Sequence, residues 1–141
     1  MNSDLLPHVS ASPLASPQRK PPRGWRHKFA DAFRGLTFGI QGQSSFFVHF
    51  FMTALVLAAA TVLRCSLQDW IILLLCIGMV LAAELFNSAV ETLVHGLDER
   101  TKSRCWKALD IAAAAVLVAS ITAAVVGALV FLHRLGELLD W

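Results

Sequence analysis

The stretch "WIILLLCIGMVLAAELFNSAVETLV", residues 70–94, decides the fold because it is apolar almost throughout. A helix needs roughly 20 mostly apolar residues to cross the hydrocarbon core of a bilayer. Two other runs, 46–63 and 111–132, come close to that length. The chain has 141 residues, 56% of them apolar and only 16% charged, which is more apolar surface than a small soluble domain can bury. The sequence therefore predicts an all-α membrane protein with three transmembrane helices over 46–63, 70–94 and 111–132.

The positive charges flanking these runs predict the orientation of the chain. Six Lys and Arg residues precede the first run, and four (Arg100, Lys102, Arg104 and Lys107) lie between the second and third. Only Arg64 lies in the short loop between the first two runs, and only Arg134 follows the third. Because Lys and Arg accumulate on the cytosolic side, we expect the N-terminus and loop 96–109 to be cytosolic. Because this orientation rule already explains the basic residues, they do not indicate a nucleic-acid partner.

The first 23 residues differ in composition from the rest of the chain. All five prolines fall within residues 1–22, among Ser, Asn and Gln, and no apolar core of a signal peptide is present there. We therefore expect residues 1–23 to form a disordered, basic, Pro-rich cytosolic tail rather than a cleaved leader. The membrane domain is expected over 24–135, followed by a short tail at 136–141.

Residues 24–40, "GWRHKFADAFRGLTFGI", predict an amphipathic helix that lies in the headgroup plane. Helical spacing places six apolar residues on one face: Trp25, Phe29, Ala32, Phe33, Leu36 and Ile40. Basic residues fall mainly off that face, as in helices that lie on membranes. Such a helix could serve as an anchor or as a lid that shapes the entry for a lipid headgroup.

A polar stripe interrupts the second apolar run. Helical spacing places its five members on one face: Glu84, Asn87, Ser88, Glu91 and His95. At 1.5 Å per residue, Glu84 lies ~21 Å from Trp70, in the inner half of the bilayer. A carboxylate at that depth costs several kcal/mol by most estimates. A seam that only joins helices would explain Asn87 and Ser88, but two glutamates on one stripe favour a functional site.

The stripe has the groups that a phosphoryl transfer at the bilayer surface requires. The buried Glu84 can take the proton of an alcohol that arrives from the lipid. Glu91, nearer the water, can hold Mg²⁺ together with nucleotide phosphates. The basic segment Arg100–Lys107 lies where those phosphates would be. The "GIQGQ" at 39–43 lacks the lysine of a phosphate-binding loop and is discounted.

Two aspartates lie at the predicted starts of helices. Asp69 can cap the second span from the outer side, and Asp110 is either the N-cap of the third span or part of the site. A stripe of small residues predicts close helix contact along the third span: Ala115, Ala119, Ala123 and Gly127.

The motifs "AELFNSAVETLV" and "DIAAAAVLVA" resemble the signature of the prokaryotic diacylglycerol kinase family, which includes undecaprenol kinases. The resemblance covers residues 25–132. It implies a homotrimer in the bacterial inner (plasma) membrane, each chain having a surface helix and three spans. It also implies transfer of the ATP γ-phosphate to a lipid alcohol, with magnesium or zinc as the metal.

The resemblance assigns roles to individual residues. Glu84 corresponds to the catalytic base and Asn87 to its polar neighbour. Glu91 corresponds to a metal-binding glutamate, and Asp110 to an aspartate near the nucleotide. Four positions depart from the family pattern: Gln43 replaces a second metal-binding glutamate, Phe47 an arginine, Leu109 a nucleotide-binding lysine and His95 an aspartate. Gln43 can still offer an oxygen to Mg²⁺, and Lys107 could substitute for the missing lysine.

The preferred prediction is an ATP- and Mg²⁺-dependent kinase of diacylglycerol or undecaprenol. Three alternatives stay open. One is the same scaffold with another acceptor or donor, and one is a catalytically degenerate relative that serves as a membrane interaction protein. The last is a small channel or transporter, which unbroken helices disfavour.

Overall fold

The computed structural model describes residues 24–41 and 44–140, so the predicted tail 1–23 and Gln43 lie outside the described residues. The described part contains four helices, α1 (Trp25–Ile40), α2 (Ser44–Val62), α3 (Leu67–His95) and α4 (Glu99–Leu138), and no strand. The helices α2, α3 and α4 are long and apolar enough to cross a membrane. The predicted all-α fold with three spans is confirmed.

Helix α1 lies against the C-terminal half of α3. An added Cβ at Gly39 would lie only 2.7 Å from Cδ2 of Leu85, so the missing side chain allows the two helices to approach this closely. Three aromatic residues of its apolar face, Trp25, Phe29 and Phe33, remain exposed in the single chain. Their exposure fits a helix that faces lipid, and its place in the headgroup plane stays a prediction.

Helix α3 begins with a capping box in which Ser66, not Asp69, is the N-cap. The Ser66 hydroxyl accepts a hydrogen bond from the Asp69 backbone N–H at 3.4 Å, and Asp69 Oδ2 accepts one from the Ser66 N–H at 2.8 Å. Asp69 therefore takes part in the cap, as expected, but from the N3 position and not as the N-cap itself. Asp69 is the third helical residue, and the reciprocal bonds satisfy two N–H groups that a helix start leaves unpaired.

Helix α4 begins at Glu99, so the predicted loop 96–109 is reduced to the turn at 96–98. Asp98 is the N-cap: its carboxylate accepts hydrogen bonds from the Thr101 hydroxyl at 2.8 Å and from the Thr101 N–H at 3.2 Å. Both bonds lower the pKa of Asp98 from its ordinary value, and the bond from the Thr101 hydroxyl has the larger effect. Asp110 lies within the helix, so the alternative prediction that it is the N-cap of the third span was wrong. Hydropathy predicted the edge of the membrane, and the helix extends beyond that edge.

Helices α3 and α4 form the main packed pair, and they run antiparallel. The small-residue stripe of α4 contributes the buried residues Ala119 and Gly127 and the half-buried Ala123, whereas Ala115 is exposed. The Cβ position of Gly127 lies 4.0 Å from Cδ2 of the buried Leu73. The close helix contact predicted for this stripe is therefore present at Ala119 and Gly127, and it fixes the register of α3 on α4. The homotrimer stays a prediction, because the structure contains one chain.

Candidate active site

The middle of the polar stripe is buried in the structure. Glu84 is 2% exposed, Ser88 2% and Asn87 8%, although all three lie within a mainly apolar helix. Their spacing of three and four residues places them on one face of α3. Removal of a carboxylate from water is costly, so its retention here favours a task for Glu84.

Helix α2 contributes a residue that sequence analysis missed. Nε2 of His49 lies 3.7 Å from Oε2 of Glu84, and the His49 side chain is largely buried. A signal was present in the sequence: His49 is the single titratable side chain of α2, within an apolar run. An ionisable residue within a span is itself a functional hypothesis.

Three buried polar atoms in this cluster have no hydrogen-bond partner among the described residues: Glu84 Oε1, Asn87 Oδ1 and Ser88 Oγ. Nearly all buried polar atoms in folded proteins are paired, and each exception asks for a cause. All three belong to one face of α3 and lie within about 6 Å of one another along the helix axis. The cluster is therefore suited to polar atoms of a substrate.

Glu91 is tied to this cluster by a hydrogen bond. Nδ2 of Asn87 donates to Oε1 of Glu91 at 2.9 Å. This bond uses an N–H of the Asn87 amide, so Oδ1 of Asn87 remains as an acceptor. The two side chains together present hard oxygen atoms near the C-terminal end of α3.

Asp110 lies at nearly the same depth as Glu91. Gly127 of α4 packs against Leu73 of α3. Counted in residues from this contact, Asp110 lies almost as far back along α4 as Glu91 lies forward along α3. In antiparallel helices of equal rise, the two carboxylates are therefore level. Lys107 lies one turn nearer the N-terminus of α4 on the same face, with Nζ 5.7 Å from the centroid of the Trp106 ring.

The oxygen donors fit a magnesium–nucleotide complex better than a bare metal ion. In the described part of the chain, no group of three His, Cys, Asp or Glu residues could hold a metal. Mg²⁺ in kinases is commonly held by one or two carboxylates together with substrate phosphates. The Glu91 carboxylate and the Oδ1 of Asn87 match that donor set, and Gln43 lies outside the described residues.

A groove of about 1050 Å³ between α1 and α3 leads to the same cluster. Its walls are mainly apolar, with Phe29, Phe33 and Leu36 from α1 and Leu85 from α3. Ser88, whose hydroxyl lacks a partner, and Thr92 give the groove its hydroxyl groups. An apolar groove beside a buried carboxylate suits a ligand with a hydrocarbon body and a polar end.

Comparison with known proteins places the chain among membrane lipid kinases. A family model described as prokaryotic diacylglycerol kinase matches residues 30–131. An undecaprenol kinase of Bacillus subtilis is 30% identical over 107 residues, which cover 76% of this chain and 87% of that protein. A diacylglycerol kinase of Synechocystis is 32% identical over 112 residues, 79% of this chain and 64% of that protein. No solved structure matches the chain.

Proposed function

The chain belongs to the prokaryotic diacylglycerol kinase family, a family of lipid kinases, and we propose that it transfers the γ-phosphate of ATP to the hydroxyl of a membrane lipid with Glu84 as general base. The acceptor is diacylglycerol or undecaprenol, the lipids named for the two relatives. The reaction takes place at the cytosolic face of the bacterial inner membrane.

The observation that carries this proposal is the buried carboxylate of Glu84, whose Oε1, like the nearby Asn87 Oδ1 and Ser88 Oγ, has no hydrogen-bond partner among the described residues. The lipid hydroxyl enters from the groove past Ser88 and gives its proton to Glu84. Its oxygen forms the new bond to the γ-phosphorus, and the bond from that phosphorus to the bridging oxygen of ADP breaks. The products are a lipid phosphate and ADP, with the proton on Glu84.

Glu91 and Asn87 hold the nucleotide end of the site. Their oxygens would bind magnesium, with Gln43 as a further ligand, and the bound ion would neutralise charge on the phosphates. Asp110, level with Glu91, and Lys107, one turn nearer the cytosol, approach the same nucleotide from α4. Lys107 supplies positive charge in place of the family lysine where Leu109 stands.

Helix α1 positions the lipid. It forms one wall of the apolar groove, and the groove contains Ser88 next to Asn87 and one turn from Glu84. A lipid that lies between α1 and α3 therefore reaches the base without leaving the membrane. This arrangement favours the lid over a simple anchor for α1.

A second candidate is a catalytically degenerate relative that acts as a membrane interaction protein. Phe47, where the family has an arginine, is 77% exposed and would suit an apolar partner. The cost of the buried Glu84 argues against this candidate, because an interaction protein would gain nothing from it.

The test is phosphorylation in mixed micelles with labelled ATP, high Mg²⁺ and either diacylglycerol or undecaprenol. We expect label in one lipid, and we expect Glu84→Gln to reduce kcat by about 10²–10⁴-fold, the contribution usual for a general base. Glu99→Gln, at an exposed glutamate near the start of α4, is the matched control and should retain activity. Absence of label from both lipids, or full activity of Glu84→Gln, would contradict the proposal.

A further inference from the structure

We propose that His49 is the charge partner of Glu84, a positioning residue that keeps the base ionised and aimed at the lipid hydroxyl. This inference rests on the proposed role of Glu84. It adds a residue of α2 to a reaction otherwise assigned to α3 and α4.

The contact between the two side chains is specific to one carboxylate oxygen. Nε2 of His49 lies 3.7 Å from Oε2 of Glu84, whereas Oε1 is buried without a partner. The two oxygens therefore have different surroundings. Oε2 faces the imidazole, and Oε1 remains for the substrate proton.

A carboxylate that is 2% exposed cannot rely on water for stabilisation. A carboxylic acid that holds its proton cannot act as a base, so a base needs an ionised carboxylate. An opposite charge within about 4–6 Å favours an ionised carboxylate, and the imidazole of His49 lies within that distance of Oε2. His49 is suited to the task, since an imidazole can carry the charge near neutral pH.

Few other ionisable groups face this pair. His49 is the sole titratable residue of α2, and α4 has none between Asp110 and His133. Helix α3 contributes Cys76, which lines with His49 a cavity of about 290 Å³ between α2, α3 and α4. Glu91 lies two turns further along α3. The residues of α1 that line the groove between α1 and α3 include no titratable side chain. Among these groups, His49 is therefore the one whose side chain lies against the carboxylate of Glu84.

The decisive variant is His49→Gln, which keeps a polar amide but cannot carry the proton. We expect the acidic limb of its kcat–pH profile to move to higher pH by about 1–3 units, the range for loss of a close opposite charge. Activity at neutral pH falls and recovers in alkaline buffer, and KM for ATP stays constant because the nucleotide residues are intact. His133→Gln, at the exposed far end of α4, is the matched control and leaves the profile in place.

Infrared spectroscopy tests the same pair without enzyme activity. We expect His49→Gln to show a carboxylic-acid C=O band at neutral pH that is absent from the wild type and from the double variant His49→Gln/Glu84→Gln. If His49→Gln shows no new band and its acidic limb does not move, the proposal is overturned. An equal loss of kcat at every pH would likewise reduce His49 to a packing role.

The two proposals fail in different ways. A wild-type protein that phosphorylates neither lipid would overturn the proposed function, while the infrared band would still decide the His49–Glu84 pairing. Suppose instead that the wild type is active, that Glu84→Gln is not, and that His49→Gln has the pH profile and infrared spectrum of the wild type. Those results would overturn only the role of His49.

Discussion

Arg134, near the C-terminal end of α4, donates a hydrogen bond from Nε to Oδ2 of Asp69 in the first turn of α3, at 2.5 Å. The two residues are 65 positions apart in the chain, and Arg134 also pairs with Glu137. Asp69 belongs to the capping box of α3 as well, through its bonds with Ser66. The pair therefore links the N-terminal end of α3 to the C-terminal end of α4 and supports the register that sets Asp110 level with Glu91.

Replacement of Arg134 by methionine should destabilise the α3–α4 pair. The apolar side chain is similar in length but leaves the largely buried carboxylate of Asp69 without its cation. We expect a lower melting temperature in detergent, measured by circular dichroism. Arg64→Met, at an exposed arginine at the same end of the molecule, is the matched control. Equal melting temperatures for the two variants would show that the ion pair is not stabilising.

The native cysteines can test the predicted orientation. Cys65 lies in the loop before α3, and Cys105 lies near the start of α4. In variants that retain one of these cysteines, a membrane-impermeant maleimide added to intact cells should label Cys65 but should label Cys105 only after permeabilisation. The opposite labelling pattern would show that the predicted orientation is wrong.

The rate of Cys65 labelling should depend on pH in a defined direction. Burial, followed by the negative charge of Asp69, raises the pKa of the Cys65 thiol above its ordinary value. Because the thiolate is the reactive form, labelling at neutral pH should be slower than for glutathione. The rate should continue to rise at pH values where the glutathione rate has levelled off. Parallel pH profiles for the two thiols would contradict this expectation.

Gly39→Ala should narrow the groove between α1 and α3. Its Cβ would lie 2.7 Å from Cδ2 of Leu85, so the leucine side chain must move into the groove or α1 must move away. We expect a few-fold higher KM for the lipid acceptor, with KM for ATP unchanged. Gly136→Ala is the matched control, because Gly136 lies outside the groove and an added Cβ there meets no atom within 4 Å. Identical lipid KM values for the two variants would exclude the groove as the lipid site.

Gln43→Glu should lower the Mg²⁺ concentration needed for half-maximal activity. A carboxylate at this position would give the magnesium a charged oxygen ligand in place of a neutral one. Gln41→Glu, two residues earlier at the C-cap of α1, adds the same charge nearby and serves as the control. If both variants lower the requirement equally, the effect is general electrostatics; if neither does, the assignment of Gln43 to the metal site is wrong.

Hydropathy and helical period gave a correct account of the four helices and of the Glu84–Glu91 stripe. They misplaced the start of α4, because a membrane edge and a helix end are different physical boundaries. The Asp98 cap with Thr101 was readable from the sequence as a helix start, but the basic residues after it were interpreted as a cytosolic loop near the nucleotide phosphates rather than as the first turns of α4. The resemblance through "AELFNSAVETLV" predicted the family, which the match over 30–131 confirms.

The sequence by itself determined the membrane class, the spans and the residues that share a face of α3. Each of these follows from local properties, namely apolar length and the 3.6-residue period of a helix. Only the tertiary structure decided that His49 meets Glu84, that Arg134 meets Asp69 and that Ser88 borders a groove under α1. These relations depend on which helices are neighbours and in what register. The register is set by close packing at small residues such as Gly39 and Gly127, across separations that no local pattern encodes.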